Sequence, residues 1–443
     1  MDDALRRRLR KLGIVQGLRG LRAAEADARD QAAQEREARA STVLPGRQVE
    51  AGGGTFWLAE RAYPADVAHG RHRLAALADV TPTALELLDV PDLGPRPAFL
   101  DTETTGLAGG TGTLAFLIGV GIWQEDRLAL HLIFMRDPAE EAAALSYLTD
   151  VLSQATGLVT FNGRGFDVPI LESRYILNRM PPAPLALPHL DLLGVARTLW
   201  RDHLASRRLG ELERHILDVV RTEQDIDSAL IPWLYRQYLE TGETGDIERV
   251  FYHNEIDVLS LASLLIHVSR MVEAPEALPL APAEWAGVGR VYDRAGREDG
   301  ALRAWRLAVS GELGELDDDC ASRLWSELGT RYKRREAWKE ALAVWDAWIA
   351  AMPLAVAPLV EKAKYFEWTV KDLEAALVCT ERALKRAAAL PAGMARYRAL
   401  AELRHRQGRL ERRLAGEAEA EADAERDVGG RGATGSPSTE EGN

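Results

Sequence analysis

The stretch AFLDTETTGLAGGTGTLAFLIGVGIWQEDRLALHLIFM, residues 98–135, decides the fold. It holds three apolar runs: AFLD, TLAFLIGVGIW and RLALHLIFM. The last two are joined by the tight polar turn QEDR. Three strand-like runs with short links predict an antiparallel meander. The first run ends on Asp101 and Glu103. Side chains two apart on a strand share a face, so two carboxylates point the same way at the end of a buried strand. Like charges there repel, and burial costs several kcal/mol unless something offsets it.

Downstream of the meander the pattern alternates. PAEEAAALSYLTDVLSQA has helical periodicity, GLVTFNG reads as a strand, DVPILESRYILNRM as a helix and HLDLL as a short strand. LGELERHILDVV and VFYHNEIDVLSLASLLIHVSRMV read as further helices. Three strands followed by alternating strands and helices predict an α/β domain, a mixed sheet flanked by helices. Upstream, RQVEA, a GGG turn and TFWLAERAY predict a hairpin over 47–63.

Beyond the Pro-rich linker 274–285 the chain reads as wholly helical. Trp285, Val288, Gly289, Tyr292, Ala301, Trp305 and Ala308 follow the tetratricopeptide spacing. Trp325, Leu328, Gly329, Tyr332, Ala341, Trp345 and Pro353 follow it again. A third, degraded unit over 357–388 keeps Ala376 and Ala383. The expected organisation is a charged helical segment (1–44), a hairpin and extension (45–95), the α/β domain (96–272), an all-α tetratricopeptide-like repeat domain (283–414) and an acidic disordered tail (415–443).

The chain has 443 residues and a net charge of −13. Eight acids against Arg426 and Arg431 place six of those negative charges after residue 415. An acidic body argues against broad affinity for phosphate backbones but leaves room for a local basic groove. No apolar run is long enough to span a membrane, and the charged N-terminus lacks the apolar core of a signal peptide. Two cysteines, Cys320 and Cys379, exclude a disulfide framework and fit a cytoplasmic location.

Two further segments bring acids to Asp101 and Glu103. FNGRGFDVPIL places Asn162 and Asp167 at a strand-to-helix junction, where Asp167 also suits a helix N-cap. FYHNEIDVLSL places His253 and Asp257 four apart, on one face of a helix, with Tyr252 about 140° from Asp257. Four carboxylates from three segments form a hard-oxygen ligand set suited to Mg²⁺ or Mn²⁺. Two such ions serve in-line displacement at phosphate, with His253 as the base. The segment GLAGGTG lacks the features of a phosphate-binding loop and reads as a turn.

FLDTETTG, NGRGFDVPIL and HNEID resemble the three motifs of DEDD-type, DnaQ-like 3′–5′ exonucleases of the ribonuclease H-like superfamily. HLDLLGVARTLW, SRRLGELERHIL, IPWLYRQYLETG and VFYHNEIDVLSL are similar to the YprB family within it. The resemblance covers about 45–270 and, more loosely, the repeats. It implies Asp101, Glu103, Asp167 and Asp257 as metal ligands for two Mg²⁺ or Mn²⁺ ions. It also implies a nucleic-acid substrate (DNA rather than RNA), a role in DNA repair and a superfamily 2 helicase as a partner.

The spacing of His253 to Asp257 is that of the family's Tyr-containing motif, while Tyr252 stands at its usual His offset. Helix geometry favours His253, with Tyr252 as the alternative. Asn162 and Arg164 are substrate-binding candidates together with Tyr252. Arg207 and Arg208 are further phosphate candidates, and His189 and Asp191 read as structural. Trp123, Trp200 and Trp233 read as core. The rival readings are a ribonuclease H-like endonuclease, a non-catalytic nucleic-acid-binding scaffold acting through the repeats, and a metal-free carboxylate-pair hydrolase.

Overall fold

In the computed structural model the described residues are 44–90, 92–106, 112–311 and 316–431, with side chains described to residue 419. The charged segment expected over 1–44 lies outside them except for residue 44, as does most of the GLAGGTG turn.

The hairpin forms as its alternation and Gly turn predict. Strand β1 (Arg47–Ala51) pairs antiparallel with β2 (Gly54–Pro64). A two-residue ladder, β3 (Ala68–His69) and β4 (His72–Arg73), and helix α1 (Pro82–Leu87) follow. The meander is β5 (Pro97–Thr104), β6 (Ala115–Trp123) and β7 (Arg127–Phe134), antiparallel throughout. All nine residues of β6 are buried, which explains why that run is apolar rather than alternating. Helix α2 (Glu141–Leu152) leads to β8 (Gly157–Thr160), and α3 (Asp167–Leu177) leads to β9 (His189–Asp191). Both of these strands add parallel to the sheet.

The result is a seven-stranded mixed sheet of order β1-β2-β7-β6-β5-β8-β9. The N-terminal hairpin is therefore continuous with the sheet: β2 pairs with β7 from Trp57 opposite Phe134 to Pro64 opposite Arg127. Sequence reading had set it outside the α/β domain. The pairing is long-range, and no local pattern announces it.

Helices α4 (Leu192–Leu199), α5 (Leu209–Leu212), α6 (Ile231–Thr241) and α7 (Gly245–Glu273) complete this body. The helix expected over LGELERHILDVV is cut short. A π-helical turn follows α5 over Glu213–Leu217, and Asp218 then takes a left-handed conformation (φ 56°). The chain runs on as a loop to residue 228. Helix α6 stacks Tyr235 on Phe116, with ring centroids 3.9 Å apart, and its hydroxyl donates to the Met135 carbonyl. Trp123 and Trp200 are buried as expected, but Trp233 is 56% exposed.

The chain divides into two compact units after Ala301, not at 283. Helix α8 (Pro282–Arg294), the first helix of the expected repeats, belongs to the first unit. Its Glu284 accepts from Trp200 Nε1 at 3.0 Å, its Arg290 pairs with Asp202 and its Tyr292 donates to the Val272 carbonyl. Helix α9 (Glu298–Val309) straddles the division.

The second unit is all-helical: α10 (Asp318–Arg334), α11 (Trp338–Ala351), α12 (Ala357–Tyr365), α13 (Leu373–Ala389) and α14 (Met394–Arg431), each packed against the next. Where the repeat pattern places Gly329, a Cβ would lie 2.5 Å from Trp345 Nε1. The missing side chain is what lets α10 and α11 approach. Helix α14 runs to Arg431, so the segment 415–431 is helical rather than the start of a disordered tail. Among the described residues no helix is long and apolar enough to cross a membrane.

Candidate active site

The site is built where β5, α3 and α7 meet. Asp101 and Glu103 leave the same face of β5, opposite Gly119 and Leu117 of β6. The pairing register shifts between Glu103 and Thr104, an irregularity of the kind that re-aims side chains at strand ends. Gly119 and Gly121 leave a groove on this face, and α7 fills it. A Cβ on Gly119 would lie 2.0 Å from Asn254 Oδ1, and one on Gly121 would lie 2.9 Å from Val258. Asn254 thereby reaches Asp101, donating from Nδ2 to Oδ2 at 2.7 Å. The same helix carries His253 and Asp257 to Glu103.

His253 Nε2 lies 3.9 Å from Glu103 and 3.7 Å from Asp257. Ligand atoms of Glu103, His253 and Asp257 all lie within 4.8 Å of one another. The fourth carboxylate arrives from the β8–α3 junction. Asp167 is buried and accepts a hydrogen bond from the Thr102 hydroxyl. It is not the N-cap of α3: Phe166 holds that position, and Asp167 is the first residue of the helix. Its side chain is turned to Thr102 of the strand and also bonds its own backbone amide at the helix start.

The electrostatics match the geometry. Burial, then the neighbouring Asp257, Glu103 and Asp167, hold the Asp101 carboxyl well above the usual range. Burial raises Glu103 to about 8, with His253 acting in the opposite direction. Burial raises Asp167 to about 6, with the Thr102 hydrogen bond opposing. Asp257 is also raised by burial, against the pull of His253 and Arg221. Four acids held against their own charge form a site that stores repulsion and favours added cations.

His253 is oriented from behind. Its Nδ1 lies 2.8 Å from Asp225 Oδ1 and 3.1 Å from Arg221 Nη1, and these two contacts fix the ring with Nε2 toward the acids. Burial lowers the affinity of His253 for a proton, but Asp257, Glu103 and Asp225 outweigh it and the net shift is upward. Tyr252 faces elsewhere, its hydroxyl accepting from the Thr222 amide at 3.0 Å.

Sequence reading missed the residue that ties these groups together. Arg221, on the loop after the π-turn, gives Nε and Nη2 to the two oxygens of Glu213 at 2.6 Å each. It also pairs with Asp257 through Nη2 and lies 3.3 Å from Asp225. Glu213 is 1% exposed. Glu213 sits inside the helix expected over 209–220, and Arg221 and Asp225 lie beyond its end, so no motif marked them. Asn254 stood inside HNEID, and its signal was the Gly119-x-Gly121 pair facing it.

The remaining candidates separate. Asn162 takes a left-handed conformation (φ 66°) and lines the cleft beside His253 and Asp257. Arg164 does not face that cleft: its guanidinium donates to the His189 carbonyl. Asp191 accepts from the amides of Asn162, Arg164 and Leu193, and His189 bonds Thr160, so both hold the loop and the start of α4. The cleft is about 1000 Å³ in volume, and five arginines (Arg197, Arg207, Arg208, Arg214 and Arg221) line it. Five acids (Glu211, Glu213, Asp225, Asp227 and Asp257) line it as well, so the cleft is mixed in charge rather than a purely basic groove.

A family model described as RNase_H superfamily matches residues 98–269, the span from β5 to the end of α7. Fold and match together define a nuclease-type domain of that superfamily and support hydrolysis of nucleic acid. The chain is also 33% identical over 297 residues to the uncharacterized protein YprB of Bacillus subtilis (strain 168), a stretch covering 66% of this chain and 70% of that protein. The chain belongs to the YprB family.

Proposed function

We propose that the chain is a metal-dependent nuclease that removes nucleotides from 3′ ends, with DNA as the substrate and repair as the setting. The observation that carries the reading is the cluster of Glu103, His253 and Asp257, with Asp101 and Asp167 near enough to act on it electrostatically, beside a cleft that His253 and Asp257 line together with arginines and further acids. The donor set fits hard divalent cations. All four acids are carboxylates, and each is pushed toward protonation by burial and, at Asp101 and Glu103, by the other acids of the set. Asp101, Glu103, Asp167 and Asp257 would hold two Mg²⁺ or Mn²⁺ ions. Bound there, such ions activate an attacking water and stabilise the leaving oxygen.

The chain's own residues do the rest. His253 takes the proton of the attacking water at Nε2, and Asp225 steadies the imidazolium through Nδ1. Asn254 orients Asp101. Of the arginines lining the cleft, Arg197, Arg207, Arg208 and Arg214 would meet the phosphates, while Arg221 stays with Glu213 and Asp257. Tetratricopeptide-like pairing in the second unit supports docking of a protein partner such as a superfamily 2 helicase.

The test is incubation of the pure protein with 3′- or 5′-labelled DNA and RNA, with Mg²⁺ or with EDTA. Metal-dependent release of 3′ nucleotides, lost in Asp101→Ala, is expected. Equal activity in Asp101→Ala, or none at all in Mg²⁺, refutes the reading. A circular single strand should remain intact; its cleavage selects the endonuclease reading instead.

A further inference from the structure

The second unit carries a surface that the cleavage site does not use. Helix α14 opens with seven arginines and two glutamates between residues 394 and 416. Leu403 and Leu410, seven apart, are buried against the neighbouring helices. That fixes the rotation of α14 and places Arg406, Arg409 and Arg413 together on a flank, at i, i+3 and i+7. All three converge on one carboxylate, Glu367, whose side chain is fully buried. Three guanidiniums on one acid leave an excess of positive charge at the surface.

Beside Glu367 stands Trp368, 62% exposed. It lies in a π-helical turn, Phe366–Val370, that ends α12 at Lys371 in a left-handed conformation. The guanidinium carbons of Arg413 and Arg409 lie 5.5 and 5.9 Å from its ring centroid. An indole left this open is unusual for a residue of its size, and here it is framed by cations. A groove of about 560 Å³ adjoins, lined by the cations Lys364, Arg406 and Arg409, by His405 and by one acid, Glu402.

We propose that this platform binds single-stranded nucleic acid, with an unpaired base stacked on Trp368 and adjacent phosphates held by Arg413, Arg409 and the groove cations. The chemistry on the page selects that ligand. An open aromatic face takes any unpaired base, guanidiniums take phosphate, and the two lie within one nucleotide's reach. A paired duplex hides its base faces and gains only the charge term. The ligand class follows the nuclease reading, but the residues are separate from it.

The experiment is fluorescence anisotropy with labelled single-stranded DNA and RNA oligonucleotides and full-length protein, in EDTA so that nothing is cleaved. Trp368→Ala should weaken binding about 5- to 150-fold, the ratio that stacking worth about 1–3 kcal/mol per base gives. Trp368→Phe should restore most of it. Arg413→Gln should weaken binding less and flatten its salt dependence. Competing duplex of equal length should displace the strand poorly.

Unchanged affinity in folded Trp368→Ala, as judged by circular dichroism, overturns the proposal, as does equal competition by duplex. If Trp368→Ala fails to fold, Arg413→Gln with the salt titration decides, and an unchanged slope overturns it. Strand binding lost in Trp368→Ala, in a wild-type protein that shows no cleavage with Mg²⁺, would sink the nuclease reading and leave this one standing. Cleavage by a protein whose binding ignores Trp368 would do the reverse.

Discussion

Replacing Arg221 by Gln tests the electrostatic frame of the site without reference to turnover. Glu213 is 1% exposed, and Arg221 saturates both its oxygens with two 2.6 Å bonds. The change leaves a buried carboxylate with no counter-charge and takes a cation from Asp257. Breaking such a buried pair costs about 3–5 kcal/mol. At about 2–4 °C per kcal/mol for a domain near this size, the fall in Tm is about 6–20 °C.

Glu213→Gln alone should cost less, because Arg221 keeps Asp257 and Asp225. The double variant should be more stable than Arg221→Gln, because no unpaired charge then remains buried. Urea denaturation of the four proteins in EDTA closes the cycle, with a coupling energy in the range of about 0.5–3 kcal/mol for residues in one network. A loss under about 1 kcal/mol in Arg221→Gln, or no recovery in the double variant, would refute the claim that Glu213 is held by Arg221.

Other outcomes follow from the same geometry. Gly119→Ala drives a Cβ to 2.0 Å from Asn254 Oδ1. It should cost about 1–3 kcal/mol by overpacking and also lower cleavage by displacing Asn254 from Asp101, read by thermal unfolding and by rate. Asp101→Asn should abolish Mg²⁺-dependent cleavage while raising the Tm of the metal-free protein, since it removes one of four repelling acids. Mn²⁺ at about 100 times its Kd should stabilise the wild type by about 2.7 kcal/mol, and Asp257→Asn should lose most of that shift.

The buried pair His72 and His267, 3.0 Å apart, titrates low because burial disfavours the charged ring: to about 4 and about 3 from 6.5. Both folded values lie below the unfolded one, so the pair's stability is full above pH 6.5. It is lost as pH falls toward those values. Denaturation midpoints of wild type and His267→Phe should therefore converge on acidification; parallel curves would show that the pair does not contribute.

Much of this was legible in the chain itself. The meander, the mixed sheet and α7 follow from local periodicity, because strand and helix periods decide which residues share a face. The same arithmetic favoured His253 and left Tyr252 open; in the structure His253 stands beside Glu103 and Asp257, and Tyr252 turns to Thr222. The acids alone did not show what restrains them.

Glu213, Arg221 and Asp225 lie in the π-turn and loop after α5. There the backbone leaves its regular period, and no pattern states where a side chain points. The pairing of β2 with β7, the docking of α8 through Glu284 and Arg290, and the meeting of Trp368 with Arg413 likewise join residues far apart in sequence. Local preference determined the elements and the ligand types. Long-range packing alone decided which charges face each other, because that depends on how the elements close on one another.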